Sequence, residues 1–170
     1  MFDSCVLGVD PGIASTGLAA VAREGGGARV LWSETVRTSP ELPEPERLRM
    51  LSEAVRAAIA SLGPESVAVE RVMFGQNKSS ALSVARATGV ILLAAAEAGL
   101  DVEEYVPLEV KMAITGIGNA DKRQVRDALI RAHRVEGMPQ QADAVDAVAV
   151  ALCHLQQSRL RAVARRAGAR

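Results

Sequence analysis

Two short apolar segments of this chain each end in an acidic residue. Asp10 follows the apolar residues 5–9, and Glu70 follows the apolar residues 67–69. Short apolar runs bounded by turn residues are typical of buried β-strands. The pattern therefore predicts a sheet in which two buried strands each end in a carboxylate.

Two further acids lie on one edge of a predicted helix. Asp143 and Asp146 are three residues apart near the start of a helix over 142–157, and side chains at i and i+3 are neighbours on a helix surface. A helix start favours such acids in any case, because they complement the helix dipole. Together with Asp10 and Glu70 they indicate a divalent metal site, since convergent carboxylates repel one another unless a cation lies between them.

A carboxylate cluster of this kind fits phosphodiester cleavage. Three or four convergent carboxylates favour two Mg²⁺ ions about 3.5–4 Å apart. One ion would activate water for in-line attack, and the other would stabilise the leaving 3′ oxygen. The acids therefore predict a metal-dependent nuclease site.

Length and composition favour one α/β domain. The chain has 170 residues, is 49% hydrophobic and contains four aromatic residues, which favours a mixed α/β fold over an aromatic-rich barrel. Both cysteines fall in apolar segments, so a reducing cytoplasm is expected. No signal peptide is evident, and the most apolar stretch, 87–96, is too short to span a bilayer.

The zero net charge conceals an uneven distribution. Residues 1–110 hold 9 Lys and Arg against 15 Asp and Glu, whereas residues 111–170 hold 11 against 5. Such an asymmetry is compatible with a polyanion-binding face in the C-terminal part of the chain, although it can also arise without one.

The periodicity predicts a five-stranded mixed sheet flanked by helices. The predicted strands are 4–10, 17–22, 28–34, 67–70 and 102–106, and the predicted helices are 45–62, 79–98, 108–114, 121–134 and 142–157. Three strands joined by tight turns indicate an antiparallel meander, and the later strands follow crossover helices. These elements form one domain, 1–157. The tail 158–170 has five Arg and no acid, and it is expected to be flexible and to add salt-sensitive DNA affinity.

The turn after the first strand has two interpretations. Asp10, Gly12 and Thr16 resemble the phosphate-binding turn of actin- and hexokinase-like ATPases, but those proteins enclose a nucleotide between two such domains. The chain has room for one. The ribonuclease-H-like nucleases keep the same strand and acid and bind metal there.

Four segments in order resemble the RuvC family of Holliday junction resolvases. They are Gly-Val-Asp-Pro-Gly at 8–12, Glu70, the segment from Lys111 through Gly-Ile-Gly-Asn-Ala-Asp-Lys-Arg-Gln-Val at 116–125, and Gln-Ala-Asp-Ala-Val-Asp-Ala at 141–147. The resemblance covers about residues 4–155. It implies a ribonuclease-H-like fold and a homodimer that nicks two strands of a four-way DNA junction symmetrically. It also implies two Mg²⁺ per subunit, with Mn²⁺ able to substitute, and the RuvA–RuvB branch-migration complex as a partner.

The resemblance also assigns residues. Asp10, Glu70, Asp143 and Asp146 match the family's metal-binding acids, and Lys111 and Lys122 match lysines needed for activity. Lys122 is a candidate for stabilising charge on the scissile phosphate. The basic cluster formed with Arg123 and Arg126 is expected to contact DNA phosphates. The helix over 79–98 resembles the family's dimer helix.

One departure concerns the aromatic residue that stacks on an unpaired base at the crossover. The family places Phe three residues after the second strand acid, whereas this chain has Met73 there and Phe74 next. We expect Phe74 to stack and Met73 to fill a gap or wedge between bases. Asn77 and Lys78 are further DNA-binding candidates.

An alternative is a junction-binding protein of the same fold whose acids are structural.

Overall fold

The structure is a computed structural model. It describes the backbone of residues 3–71 and 78–168, and the side chains of residues 4–71 and 81–158. Within these residues, no helix is both long enough and apolar enough to cross a bilayer.

A six-stranded mixed sheet organises the molecule, with strand order β5-β4-β1-β2-β3-β6. The elements in chain order are β1 (Asp3–Asp10), β2 (Ser15–Glu24), β3 (Gly27–Arg37), α1 (Glu44–Leu62), β4 (Ser66–Glu70), α2 (Lys78–Glu97), β5 (Asp101–Tyr105), α3 (Pro107–Thr115), α4 (Lys122–Arg131), β6 (Val135–Glu136) and α5 (Ala142–Gly168). The meander β1–β2–β3 is antiparallel, and β4 and β5 add in parallel beside β1.

Alternating side chains on the central strands pack into two cores, one on each face of the sheet. Leu7 and Val9 of β1 pack toward α1 and α2. Val6 of β1 and Ala19 of β2 pack toward α5, together with residues of α3 and α4. The sheet is therefore covered on both faces, as crossover connections require.

Local signals fix where the helices begin and end. Gly63 and Gly116 adopt left-handed φ values of 56° and 73° and end α1 and α3, a conformation that glycine takes without a steric penalty. Asp121 and Gln124 form a capping box at the start of α4, each side chain accepting a backbone N–H of the other at 2.8 Å. This cap places Lys122 at the first residue of α4.

The five predicted strands and five predicted helices are all present, although β2 and β3 extend beyond their predicted bounds of 17–22 and 28–34. Three further details differ. A sixth strand, β6, pairs its two residues with Ala28 and Arg29 of β3, and two residues are too few to show a strand period. Helix α4 ends at Arg131 rather than at 134. Helix α5 continues to Gly168 rather than ending at 157, because nothing in the Arg- and Ala-rich sequence interrupts it.

Candidate metal and nucleic-acid site

The predicted acids converge at the ends of the central strands. Asp10, Asp143 and Asp146 each offer a carboxylate oxygen, and these oxygens lie within 4.8 Å of one another. Glu70 stands beside this group: its side chain hydrogen-bonds to that of Asp10, and it lines the same cavity. The parallel pairing of Val9 with Val69 accounts for this, because it brings the ends of β1 and β4 together.

Two glycines let helix α5 approach the sheet closely enough to deliver its acids. A Cβ atom on Gly17 would lie 1.9 Å from the carbonyl oxygen of Asp143, and one on Gly8 would lie 2.1 Å from that of Ala147. Any side chain at either position would therefore push α5 away from β1 and β2. The sequence shows both glycines but not that they face a helix.

The cluster is strongly acidic and partly buried. Burial, followed by the charges of Glu70 and Asp146, raises the pKa of Asp10 to about 8. Burial also raises the pKa of Glu70, against the lowering effect of its hydrogen bond with Asp10. Burial and the neighbouring carboxylates therefore favour a proton on Asp10 when no cation is bound.

Lys122 already supplies one positive charge to the cluster. Its Nζ lies 2.6 Å from Oδ2 of Asp146, and this hydrogen bond is the main cause that raises the pKa of Lys122. The Lys122 side chain is 73% exposed, which leaves the ammonium accessible to a ligand. Lys111 of α3 lines the same cavity as Asp10 and Glu70, so both predicted lysines meet the acids.

Two adjoining cavities surround these residues. The first has a volume of about 300 Å³ and is bounded by Asp10, Glu70, Lys111, Lys122 and Asp146 with apolar residues of α3, α4 and α5. The second, of about 360 Å³, shares Lys122 and Asp146 and adds Arg123, Arg126 and Gln140. The predicted basic cluster of α4 therefore lies next to the acids. Arg126 is held there by donating to the carbonyl oxygen of Pro139 at 2.8 Å.

The sequence interpretation missed one contact to the acids. Ser15, the first residue of β2, donates through Oγ to Oδ2 of Asp143 at 2.5 Å. This hydrogen bond fixes the direction of the Asp143 carboxylate. No sequence signal marks it, because a single hydroxyl beside a turn is ordinary.

The two histidines join elements outside the site. His133 contacts the carbonyl oxygen of Ile114 at 2.7 Å and the amide of Gln156 at 3.1 Å, which ties α3 to α5. His154 contacts the hydroxyls of Ser66 at 3.1 Å and Tyr105 at 2.9 Å. Neither belongs to the acidic group.

Four predicted DNA-binding residues cannot be placed by their side chains. Met73, Phe74 and Asn77 lie outside the described residues, and Lys78 is described only as the first backbone position of α2.

The donor set of the site suits a hard cation. The three clustered ligands are all carboxylates, and such oxygens suit Mg²⁺, Mn²⁺ and Ca²⁺ rather than a soft metal. The Lys122 ammonium already compensates part of the negative charge. The residues therefore fit a divalent ion.

Comparison with known proteins decides the family. The family model described as crossover junction endodeoxyribonuclease RuvC matches residues 6–154. The chain belongs to the RuvC family. RuvC of Chloroflexus aggregans is 44% identical over 148 residues, which is 87% of this chain and 90% of that protein. RuvC of Syntrophomonas wolfei is 39% identical over 155 residues, 91% of this chain and 90% of that protein.

Solved RuvC structures share the fold. Thermus thermophilus RuvC in complex with a Holliday junction substrate superposes with a TM-score of 0.86 at 37% identity, covering 93% of this chain and 96% of that one. The yeast mitochondrial Holliday junction resolvase Ydc2 matches with a TM-score of 0.63 at 13% identity, covering 88% of this chain and 78% of that one, a likeness of fold alone. The predicted ribonuclease-H-like fold and the resemblance to RuvC are confirmed.

Proposed function

We propose that this chain is a Holliday junction resolvase, an endonuclease that nicks two strands of a four-way DNA junction by metal-dependent phosphodiester hydrolysis. The observation that carries the proposal is the meeting of Asp10, Asp143 and Asp146 within 4.8 Å in a chain of the RuvC family. A carboxylate cluster facing a polyanion is unfavourable without cations. A catalytic use for the metal gives this arrangement its function.

The four acids are the proposed metal ligands: Asp10, Asp143 and Asp146 form the close group, and Glu70 lines the adjoining cavity. Two Mg²⁺ ions per subunit are proposed, with Mn²⁺ able to substitute. When bound, divalent ions at such a site supply activation of the attacking water and stabilisation of the leaving oxygen. Because the pKa of Asp10 is raised in the free protein, binding of a cation there should release a proton.

The proposed roles of the lysines follow from their positions. Lys122 lies at the first residue of α4, paired with Asp146 and exposed to a ligand. A scissile phosphate entering the first cavity meets this ammonium, which stabilises the negative charge that develops on the phosphate. Lys111 lines the same cavity and orients the same strand.

Arg123 and Arg126 extend the proposed DNA contact beyond the site. Both line the second cavity, which adjoins the first through Lys122 and Asp146. A strand that leaves the acids along α4 therefore passes these guanidinium groups. Met73, Phe74, Asn77 and Lys78 remain proposed junction contacts, on the resemblance alone.

A homodimer is the proposed active assembly, because a junction with two-fold symmetry requires two equivalent sites. Helix α2 offers a surface for it: Leu82 and Leu93 are 52% and 56% exposed, with Gly89 and Ala96 exposed on the same side. The RuvA–RuvB complex is the proposed partner in branch migration.

The proposal is tested with a synthetic four-way junction and the purified protein. We expect paired nicks near the crossover in Mg²⁺, and binding without cleavage in Ca²⁺. Asp10→Asn should lower the cleavage rate by at least about a hundredfold and keep junction binding, because it removes a proposed ligand from the end of β1. The matched control is Asp101→Asn, an exposed acid at the start of the parallel neighbour strand β5.

Unchanged cleavage by Asp10→Asn would refute the assigned role. A wild-type protein that binds junctions but shows no Mg²⁺- or Mn²⁺-dependent cleavage would instead be the non-catalytic junction-binding protein.

A further inference from the structure

Arg37 lies next to the acidic site on a side for which the sequence predicts no DNA contact. It is the last residue of β3 and pairs with Ser15 of β2 in the antiparallel register. Ser15 hydrogen-bonds to Asp143. Residues directly opposite one another on paired strands have Cβ atoms about 5 Å apart and point to the same face. Arg37 therefore stands one strand away from the Ser15–Asp143 contact.

The alternation of buried residues along β3 shows which face of the sheet carries Arg37. Val36, the neighbour of Arg37, packs in the core on the α1 and α2 side of the sheet, so Arg37 is on the α5 side. Gly17, which shares the face of Ser15, meets the backbone of Asp143. The Arg37 side chain thus emerges beside the first turn of α5.

The Arg37 side chain is exposed, and it has no ion-pair partner within the part of the chain whose side chains are described. The ion pairs there use Arg29, Arg49, Arg56, Arg86 and Lys122. An exposed guanidinium without an acidic partner keeps its charge and its donors for a ligand.

The surrounding backbone is braced. Thr38, the next residue, donates through Oγ1 to the carbonyl oxygen of Ile13 at 2.5 Å and through its N–H to Ala14 at 3.2 Å. Arg47 of α1 in turn donates to Thr38 Oγ1 at 2.8 Å. These hydrogen bonds hold the end of β3 against the turn that follows Asp10. The backbone of Arg37 therefore has a fixed position close to the acids.

The sheet order places Arg37 on the opposite side of Asp10 from Lys111. Lys111 and Glu70 line the cavity on the β4 and β5 side of Asp10, whereas β3 lies two strands away on the other side of β1. With strands about 4.8 Å apart, the ends of β1 and β3 are separated by about 10 Å. A DNA strand that crosses the acids needs cations on both flanks, because its phosphates are repelled by the carboxylates.

We propose that Arg37 binds a backbone phosphate of the cleaved DNA strand on the side of the site opposite Lys111. This inference rests on the proposed function and adds a phosphate-binding position to it.

The experiment measures binding of a synthetic four-way junction in Ca²⁺ over a range of salt concentrations. Removal of one phosphate contact should reduce the slope of log K against log salt by about 0.9 and weaken binding about five- to tenfold near 0.1 M salt. We expect Arg37→Gln to show both changes and Arg37→Lys to keep most of the slope.

The matched control is Arg29→Gln. Arg29 lies on the same strand at the far end, is exposed, and pairs with Glu24 and Glu136. An unchanged salt slope in Arg37→Gln would overturn the proposal, and so would an equal loss in Arg29→Gln, because that would reflect net charge alone.

Calorimetry of Mn²⁺ binding separates phosphate contact from support of the metal site. We expect Arg37→Gln to bind Mn²⁺ like the wild type. Weaker Mn²⁺ binding with an unchanged salt slope would make Arg37 a support for Ser15 and Asp143 and would overturn the proposal. Absence of Mg²⁺-dependent cleavage by the wild type would contradict the proposed function without affecting this binding measurement.

Discussion

Asp10 is held among other carboxylates by the fold, and this determines how the metal-free protein responds to pH. Its pKa is raised from an ordinary value of 3.8 to about 8, first by burial and then by the charges of Glu70 and Asp146. Between these values the folded protein keeps a proton that the unfolded chain releases. The stability that Asp10 contributes is therefore fully present below its ordinary pKa of 3.8 and is lost as the pH rises toward 8.

The prediction at this scale compares wild type with Asp10→Asn in EDTA. The neutral amide removes the repulsion and can still donate to Glu70, so the variant should be more stable at pH 8 by about 1–3 kcal/mol, with a smaller difference near pH 4. Urea denaturation measures both free energies of unfolding. Asp101→Asn, far from the cluster, should keep the wild-type pH dependence. Equal stability of Asp10→Asn and wild type at pH 8 would show that the carboxylates do not repel one another.

Individual residues differ in how far the sequence could predict them. Asp10 and Glu70 could be predicted because an acid at the end of an apolar run is conspicuous, and parallel neighbouring strands end together. Ser15 could not be predicted, because its contact with Asp143 spans 128 residues of sequence. Arg37 likewise gains its position only from the register of β2 and β3.

At the scale of elements, the contact of α5 with the sheet positions half of the acids. A Cβ at Gly17 would overlap the carbonyl oxygen of Asp143 at 1.9 Å. We predict that Gly17→Ala lowers the free energy of unfolding by about 2–4 kcal/mol, because backbone must move to relieve the overlap. It should also weaken Mn²⁺ binding, since Asp143 moves with its helix. Urea denaturation and calorimetry measure the two effects.

The control for this substitution is Gly26→Ala. Gly26 has open space around its Cβ position, and its φ is not in the left-handed region. The free energy of unfolding of Gly26→Ala should therefore stay within about 0.5 kcal/mol of the wild-type value. Wild-type stability in Gly17→Ala would contradict the close approach of α5.

Elements with strong local signals could be predicted, and those that depend on tertiary pairing could not. Helix α1 was predictable from its apolar stripe and its terminal Gly63. Strand β6 was not, since its two residues form a strand only through their pairing with β3. The end of α5 was misplaced because Arg-rich sequence suits both a solvated tail and a solvated helix.

At the scale of the whole molecule, the exposed side of α2 predicts how two copies associate. Leu93 is 56% exposed in a single chain. We predict that Leu93→Glu raises the dissociation constant of the dimer at least tenfold, because two-fold symmetry repeats any buried charge in both subunits. Sedimentation at micromolar concentration measures the shift to monomer. The control is Ile130→Glu, because Ile130 is an exposed apolar residue of α4 on the other face of the sheet. A Leu93→Glu dimer as tight as the wild-type dimer would exclude this surface.

The two acids borne on strands owe their location to the main-chain ladder between β1 and β4, not to contacts of their own side chains. The backbone path of the two strands therefore does not depend on charge at these positions, although the free energy of unfolding does. A variant without these charges is therefore expected to keep the fold and to bind a crossover without cutting it, which would make it a reagent for capturing recombination intermediates.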